Sequence, residues 1–251
     1  MIELKDVCVG YSGKKILNSV SFTASDGEIT VILGKNGCGK STLLKAVSGN
    51  LKYSGSITLD GCETGKLNPP QRAKMLSAMP QMLRSPGITV SSLVSFGRQP
   101  YTGLCGILSK SDRDIVERVI EETGLAHLAE KRLDQISGGE LQKSYFAMLI
   151  AQDTPNLTLD EPSSHLDAEY LGCMTDFLVS AKNAGKAVFA VFHDINYTLS
   201  IADKIVFLNE GGVIFSGSKQ DFITSGTVES QLGLRQYVCH DGDGSERTFF
   251  Q

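Results

Sequence analysis

Apolar residues recur at every second position along much of the first sixty residues, which is the pattern of half-buried β-strands. Glycine-containing turns, Asp26-Gly27 and Gly55-Ser56, separate these stretches. The pattern predicts short strands over residues 2–4, 20–22, 29–33 and 57–61. The opening of the chain is therefore predicted to be rich in strands.

From about Val90 to Gln152 the apolar spacing changes to that of helices, as at Ile115, Val119 and Ile120. Beyond it the pattern predicts strands over residues 156–159 and 187–192, helices over 167–182 and 195–202, and a hairpin from 205–208 and 213–215. Strands that alternate with helices indicate an α/β fold with a mostly parallel sheet. The helical stretch is most simply a subdomain inserted between strands of that sheet.

The composition excludes several classes of protein. The 251 residues include 24 basic and 28 acidic side chains, for a formal charge of −4, whereas broad binding to nucleic acid needs a basic face. The longest apolar run, residues 187–192, is far shorter than the roughly 20 residues of a membrane-spanning helix. The N-terminus lacks the pattern of a signal peptide. We therefore expect a soluble protein that does not bind nucleic acid.

The six cysteines are scattered and form no CxxC pair, which argues against a zinc ribbon or a thioredoxin-like site. In a long chain without an export signal, such cysteines are expected to be reduced. Each is predicted to be a small buried apolar residue.

The segment GKNGCGKST, residues 34–42, fits the pattern G-x-x-x-x-G-K-[ST] between an apolar strand and a predicted helix. Glycines let such a loop wrap a phosphate closely, and the helix start adds free N–H groups. Lys40 supplies a positive charge for the β- and γ-phosphates, and Ser41 a hydroxyl for Mg²⁺. The chain is therefore predicted to bind a nucleoside triphosphate. The predicted nucleotide-binding residues are Gly34, Lys35, Asn36, Gly37, Cys38, Gly39, Lys40, Ser41 and Thr42.

Cys38 lies within this loop, near the predicted start of the helix. A helix N-terminus favours the thiolate, so we expect Cys38 to be reactive toward alkylating reagents and to be protected by ATP.

A second glycine turn, Ser137-Gly138-Gly139-Glu140, precedes another predicted helix. Ser137 and Glu140 have the spacing of a capping box, which would simply start that helix. The two glycines are costly inside a helix and are explained better if a ligand approaches the backbone. From the residues alone, a helix cap and a second phosphate-binding turn remain equally good interpretations.

Acidic residues follow a predicted strand at Asp160 and Glu161, where a parallel sheet binds its ligands. Asp160 is suited to hold Mg²⁺, and Glu161 to polarise an attacking water. Asp167 could simply cap the next helix. His193 follows the next strand, and a structural hydrogen bond and a γ-phosphate contact are equally good interpretations of it.

In order and spacing, these motifs resemble the ATP-binding cassette (ABC) ATPase family over about residues 1–220. The phosphate loop resembles the Walker A motif, ISGGE the signature, and LTLDEP the Walker B motif. Gln81 resembles the Q-loop residue, SHLD (residues 164–167) the D-loop, and His193 the switch histidine. Tyr11 resembles the aromatic residue that stacks on adenine, although it could equally be an ordinary strand residue. The signature departs from the usual LSGGQ at both ends.

The resemblance implies an ABC ATPase fold. It consists of a P-loop core with a mostly parallel sheet, an N-terminal antiparallel β subdomain, and a helical subdomain inserted at about residues 82–155. A single domain would span residues 1–235, and the tail at 236–251 has no role that the sequence predicts.

The resemblance also implies ATP hydrolysis by a head-to-tail homodimer, in which the signature of one subunit covers the ATP held by Lys40 of the other. The implied catalytic residues are Glu161, His193, Gln81 and Lys40. Mg²⁺ would be held by Ser41, Gln81 and Asp160, and the implied nucleotide contacts beyond the loop are Tyr11, Ser137, Gly138, Gly139 and Asp167.

Two further segments, VSFGRQPY (residues 94–101) and AQDTP (residues 151–155), resemble the ATPases that serve iron–siderophore, haem and cobalamin importers. This resemblance implies a separate membrane permease contacted by the helical subdomain, a solute-binding protein outside the cell, and a location at the cytoplasmic face of the membrane. A cassette that acts on a cytosolic assembly partner is the alternative. A nucleotide-gated adaptor without hydrolysis is disfavoured by Glu161 and His193.

Overall fold

The chain forms an antiparallel sheet, a larger parallel sheet and a C-terminal hairpin, with helices between them. A computed structural model describes residues 1–11, 14–103, 106–162, 168–240 and 246–251. Its strands are β1 (Ile2–Tyr11), β2 (Lys14–Ala24), β3 (Glu28–Gly34), β4 (Ser54–Leu59), β5 (Cys62–Glu63), β6 (Leu76–Met79), β7 (Asn156–Asp160), β8 (Ala187–Val191), β9 (Lys204–Asn209), β10 (Gly212–Ser218), β11 (Gln236–His240) and β12 (Glu246–Phe250).

The helices of the described residues follow the sequence pattern with a few additions. They are α1 (Lys40–Val47), α2 (Pro69–Met75), α3 (Val90–Phe96), α4 (Lys110–Glu122), α5 (Gly138–Gln152), α6 (Ala168–Asn183), α7 (Ile195–Ile201), α8 (Lys219–Thr224) and α9 (Thr227–Leu232). Among the residues that the structure describes, no helix is both long enough and apolar enough to cross a membrane.

The antiparallel sheet has the strand order β2-β1-β4-β5, with Ile2 opposite both Ala24 and Leu59. Its apolar side chains pack together with helix α1 and with one face of the parallel sheet, as Ile32, Phe189 and Val206 show. The N-terminal strands therefore form the predicted antiparallel β subdomain, and its core is continuous with the larger sheet.

The parallel sheet has the order β10-β9-β3-β8-β7-β6, in which only β10 runs antiparallel to its neighbour. Every residue of β7 and β8 is buried, because both faces of the sheet are covered. The carboxyl ends of β3, β8, β7 and β6 meet at one edge. That edge carries the phosphate loop, His193, Asp160 and Gln81, which lie at or just after the ends of these four strands in the chain.

Helices α3, α4 and α5 lie between β6 and β7 in the chain and share an apolar cluster of their own. Val94, Val116 and Ala147 bring one residue from each helix into this cluster, and all are buried. The mixed sheet, the antiparallel N-terminal sheet and the inserted helices confirm the predicted α/β fold with a P-loop core.

The sequence pattern missed α2 and β6. Helix α2 begins at a capping box made by Asn68 and Gln71, and strand β6 has four residues, too few for a periodic signal. The predicted strand 57–61 begins three residues after the start of β4 and runs two residues past its end. Strand β4 ends at Leu59, because Asp60 and Gly61 adopt positive φ angles of 48° and 78° in the turn to β5.

Among the described residues, Cys38 is the only cysteine that meets the expectation of burial. Cys8 is half-buried, and Cys62, Cys173 and Cys239 are exposed. Cys105 lies outside the described residues.

Candidate functional site

The ends of the parallel strands enclose an open cleft of about 430 Å³. It brings together residues that are far apart in the sequence and that we predicted for nucleotide binding and hydrolysis. The lining residues are Ile16, Asn36, Gly37, Gly39, Lys40, Ser41, Thr42, Gln81, Glu161 and His193. Ile16 was not predicted, because its position in a strand gives no signal of ligand contact.

The phosphate loop needs its first glycine for steric reasons. Gly34 has a φ of +149°, and a Cβ there would lie 2.2 Å from the carbonyl oxygen of Leu208 on β9. The loop runs into α1 through Gly39, which has no side chain to occupy the first N–H groups of the helix. Those groups face the cleft as an anion-binding site.

Lys40 is folded over its own loop. Its Nζ donates hydrogen bonds to the backbone oxygens of Gly34 at 2.7 Å and Lys35 at 3.1 Å. The side chain is buried, so the loop carbonyls hold the ammonium in place beside the amides of the helix start. A phosphate chain in the loop would meet this charge directly.

The expectation that Cys38 favours the thiolate is wrong. Burial of the Cys38 thiol raises its pKa, and this effect exceeds the opposing influences of the Lys40 charge and of nearby backbone N–H groups. The apolar side chains that pack around Cys38 therefore decide its chemistry more than the helix N-terminus does.

Ser41 lines the cleft and contacts Asp160 at the end of β7. The Ser41 hydroxyl donates a hydrogen bond of 3.1 Å to Asp160 Oδ1. Burial raises the pKa of Asp160, opposed in part by that hydrogen bond. A hydroxyl and a carboxylate are the hard oxygen ligands that Mg²⁺ prefers, and a divalent charge would offset the burial of the carboxylate. The pair therefore fits a magnesium ion.

Glu161 is held from both sides. Gln81 Nε2 donates to its Oε2 at 2.5 Å, and His193 Nε2 lies 2.8 Å from its Oε1. Its backbone N–H donates to Val191 O at 3.0 Å, and its φ of +54° lies in the left-handed region that non-glycine residues rarely adopt. The backbone thus turns the carboxylate out of the strand and into the cleft. Such an arrangement can orient a water and accept its proton.

The second glycine turn lies outside this cleft. Ser137 and Glu140 form the predicted capping box, with bonds of 2.7 and 3.3 Å between side chain and backbone. A Cβ on Gly138 or Gly139 would meet nothing within 4 Å, so the backbone at the start of α5 is open to a ligand. Within one copy, the turn is both a helix cap and an unoccupied surface.

Two predicted contacts cannot be placed. Tyr11 ends β1 opposite Lys14, but its side chain lies outside the described part of the structure. Asp167 also lies outside the described residues, so its role as a helix cap or a nucleotide contact stays a prediction.

Comparison with known proteins supports the same interpretation. Residues 17–164 match the ABC transporter family model. Similar proteins include the iron(3+)-hydroxamate import ATP-binding protein of Bacillus subtilis, with 35% identity over 93% of this chain and 88% of the relative. The ferric enterobactin transport ATP-binding protein of Escherichia coli is 32% identical over 94% of this chain and 89% of its own length. The hemin import ATP-binding protein of Chelativorans sp. is 36% identical over 92% of both chains.

Solved structures with similar folds include a dimeric bacterial ABC transporter cassette, with a TM-score of 0.78 and 25% identity over 87% of this chain and 99% of that one. A metal-chelate type ABC transporter in an inward-facing conformation has a TM-score of 0.83 and 24% identity over 100% of this chain and 96% of that one. The phosphate loop, the paired carboxylates and these similarities lead to one conclusion: the chain belongs to the ABC transporter ATP-binding family and is an ATPase.

Proposed function

We propose that this chain is the ATP-hydrolysing subunit of an importer for a metal chelate, and that it couples closure of an ATP-bound dimer to uptake through a separate permease. The names of its relatives support an iron chelate such as a siderophore complex or haem. Cobalamin is proposed from the sequence resemblance alone. The single observation that carries hydrolysis is the Glu161 carboxylate, held between Gln81 and His193 in the same cleft as Lys40.

In the proposed mechanism, the loop amides and Lys40 bind the phosphates of ATP. Ser41 and Asp160, with Gln81, would hold Mg²⁺, which supplies positive charge to the phosphate oxygens. Glu161 orients the attacking water and takes its proton. His193 contacts the γ-phosphate, and Gln81 responds to its presence or absence.

We further propose that the signature residues Ser137, Gly138 and Gly139 close over the ATP of a second copy in a head-to-tail dimer, to which Tyr11 and Asp167 also contribute. The open backbone at the start of α5 and its separation from this copy's own cleft support that arrangement. ATP adds contacts across the interface and favours closure, and loss of the γ-phosphate reverses the bias.

The segment that would face the permease follows Gln81. We propose that residues 82–155 act as a helical subdomain within a domain of residues 1–235, and that they contact the permease at the cytoplasmic face of the membrane. Met82, Phe96 and Ile107 expose apolar side chains on this segment. A solute-binding protein would act on the other side of the membrane, without touching this chain.

The alternative, a cassette that acts on a cytosolic assembly partner, is not favoured by these relatives, which are import or transport ATP-binding proteins. Identification of the proteins that co-purify with the chain decides between the two. Recovery of a membrane permease supports the importer, and recovery of a cytosolic partner alone contradicts it. Stimulation of ATP hydrolysis by solute in that complex would then identify the chelate.

The direct test of hydrolysis is Glu161→Gln, which keeps the size of the side chain but removes its ability to accept a proton. We expect the rate of ATP hydrolysis to fall about 100-fold or more while ATP binding is retained. Glu122→Gln, on the exposed face of α4, is the matched control and should keep the full rate. An undiminished rate in Glu161→Gln would exclude Glu161 as the group that activates water.

A further inference from the structure

The C-terminal hairpin of β11 and β12 is attached to helix α7 by one side chain. Asn196 Nδ2 donates to the backbone oxygen of Phe250 at 3.0 Å, and the N–H of Phe250 donates to Asn196 Oδ1 at 2.8 Å. The amide therefore satisfies both backbone groups of a single residue, as a neighbouring strand would. A side chain with a donor and an acceptor on one planar group is needed for this pairing.

Phe250 is also fixed by packing. Its side chain is 4% exposed and belongs to the apolar cluster that contains Ile195 and Leu199 of α7. Two backbone hydrogen bonds between Arg235 and Gln251, of 2.8 and 3.1 Å, join the chain ends of β11 and β12 next to Phe250. The tail is thus anchored on α7 by a polar contact and an apolar contact on the same residue.

The next residue of α7, Tyr197, is anchored as well. Tyr197 packs edge-on against Phe192, with ring centroids 5.0 Å apart, and its hydroxyl lies 2.9 Å from Thr175 Oγ1 on α6. Helix α7 has only seven residues and would be marginal without such tertiary contacts. Asn196 and Tyr197 therefore both hold the first turn.

That first turn follows directly on His193. Asp194 is its N-cap, accepting a hydrogen bond of 2.9 Å from the N–H of Tyr197, so His193 is joined to the helix without a flexible linker. His193 itself is half exposed, and its Nε2 lies 2.8 Å from Glu161 Oε1. The position of its ring depends on the backbone that the turn supplies.

We propose that the C-terminal hairpin braces the His193 turn through Asn196 and Phe250, so that these two act as positioning residues for ATP hydrolysis. The inference rests on the proposed role of His193. The tail thereby gains a function that its sequence alone does not predict. Neither residue touches the cleft, so the effect is on the rate of hydrolysis and not on the binding of ATP.

The test is steady-state ATP hydrolysis by the full chain with saturating Mg-ATP. Asn196→Ala and Phe250→Ala should each lower kcat about tenfold, because a small displacement of a reacting group is costly, and should leave KM within about twofold. Asn196→Asp keeps the acceptor for the Phe250 N–H but turns a second acceptor toward the Phe250 carbonyl oxygen, so it should also lower kcat. It also covers the case in which the alanine variants fold poorly.

Asn209→Ala is the matched control. Asn209 likewise joins a strand to the C-terminal region, donating to Gln231 of α9 at 3.2 Å, but it lies at the end of β9, which β3 separates from β8, the strand before His193. Its kcat should match that of the unaltered chain. In a His193→Ala background, Asn196→Ala should cause no further loss, since Asn196 acts through His193.

A kcat for Asn196→Ala and Asn196→Asp equal to that of the unaltered chain would overturn the proposal. So would an equal loss in the presence and absence of His193, which would indicate a purely structural effect. Full activity of Glu161→Gln and His193→Ala would instead contradict the proposed function itself. The two failures are therefore distinguishable.

Discussion

Cys38 and Asp160 show that burial controls the chemistry of individual cleft residues as much as sequence position does. Burial raises the pKa of the Cys38 thiol although Lys40 and the start of α1 favour its charged form. Burial also raises the pKa of Asp160, and Ser41 counters only part of that effect. The sequence identifies both residues, but their protonation depends on which side chains pack around them.

This difference leads to a test at Cys38. A raised pKa leaves less thiolate at neutral pH, so alkylation of Cys38 should be slower than that of the exposed Cys62 and Cys173 in the same chain. Mass spectrometry of the protein after brief treatment with iodoacetamide at pH 7.5 measures all three rates together. Preferential labelling of Cys38 would contradict this account and restore the sequence-based expectation.

At the scale of elements, a buried ion pair joins the three inserted helices. Arg98, just after α3, donates from Nε to Asp112 Oδ1 of α4 at 2.9 Å and from Nη1 to Ala151 O of α5 at 2.9 Å. Its guanidinium also lies 4.1 Å from the ring centroid of Tyr101. Hydrogen bonds from Ser109 and Arg98 hold the pKa of Asp112 below its usual value. One side chain therefore fixes the relative positions of α3, α4 and α5.

Arg98→Ala should lower the free energy of unfolding by about 3–5 kcal/mol, because it leaves a buried carboxylate without its partner. Arg118→Ala is the control, since Arg118 and Glu122 form an exposed pair at 3.9 Å, and its effect should stay below about 1 kcal/mol. Urea unfolding measures both. Equal stabilities of the two variants would show that the buried pair contributes no more than the exposed one.

The pH dependence of the same variants has a definite sign. A lowered pKa of Asp112 stabilises the fold above the ordinary carboxyl pKa of about 3.9, and the contribution is lost as the pH falls through the lowered value. The difference in stability between the unaltered chain and Arg98→Ala should therefore shrink on acidification. A difference that stays constant from pH 7 to pH 3 would exclude the charge of Asp112 as its source.

Much of the fold was predictable because its elements have strong local signals. Strand β3, helix α1 and the β9–β10 hairpin combine periodic apolar residues with glycine turns. Strand β6 and helix α2 have no such signal, since their places are set by pairing with β7 and by a local cap. The hairpin of the tail was missed for the same reason: Asn196 and Phe250 are far apart in the chain and meet only after folding.

The site was predictable to a similar degree. Two parts of the site belong to short motifs with a clear chemical meaning. They are the phosphate loop around Lys40 and the acidic pair Asp160 and Glu161. The contacts of Glu161 with Gln81 and His193 depend on the order of β6, β7 and β8 in the sheet, which the sequence reveals only through resemblance to the family. Ile16 has no motif and was missed.

At the scale of the whole molecule, we propose that the cleft is one half of a nucleotide site. The phosphate loop, Glu161 and His193 line it, while the signature turn at Ser137 opens elsewhere on the same chain. Two copies in opposite orientation would complete two such sites at once. We infer that this closed dimer forms around ATP.

Sedimentation of Glu161→Gln with saturating Mg-ATP tests that claim most directly, because blocked hydrolysis preserves the closed state. We expect a particle of twice the 27.0 kDa chain mass, and a single chain when Lys40→Ala is added. If Glu161→Gln sediments as a single 27.0 kDa chain at saturating nucleotide, ATP does not close such a dimer.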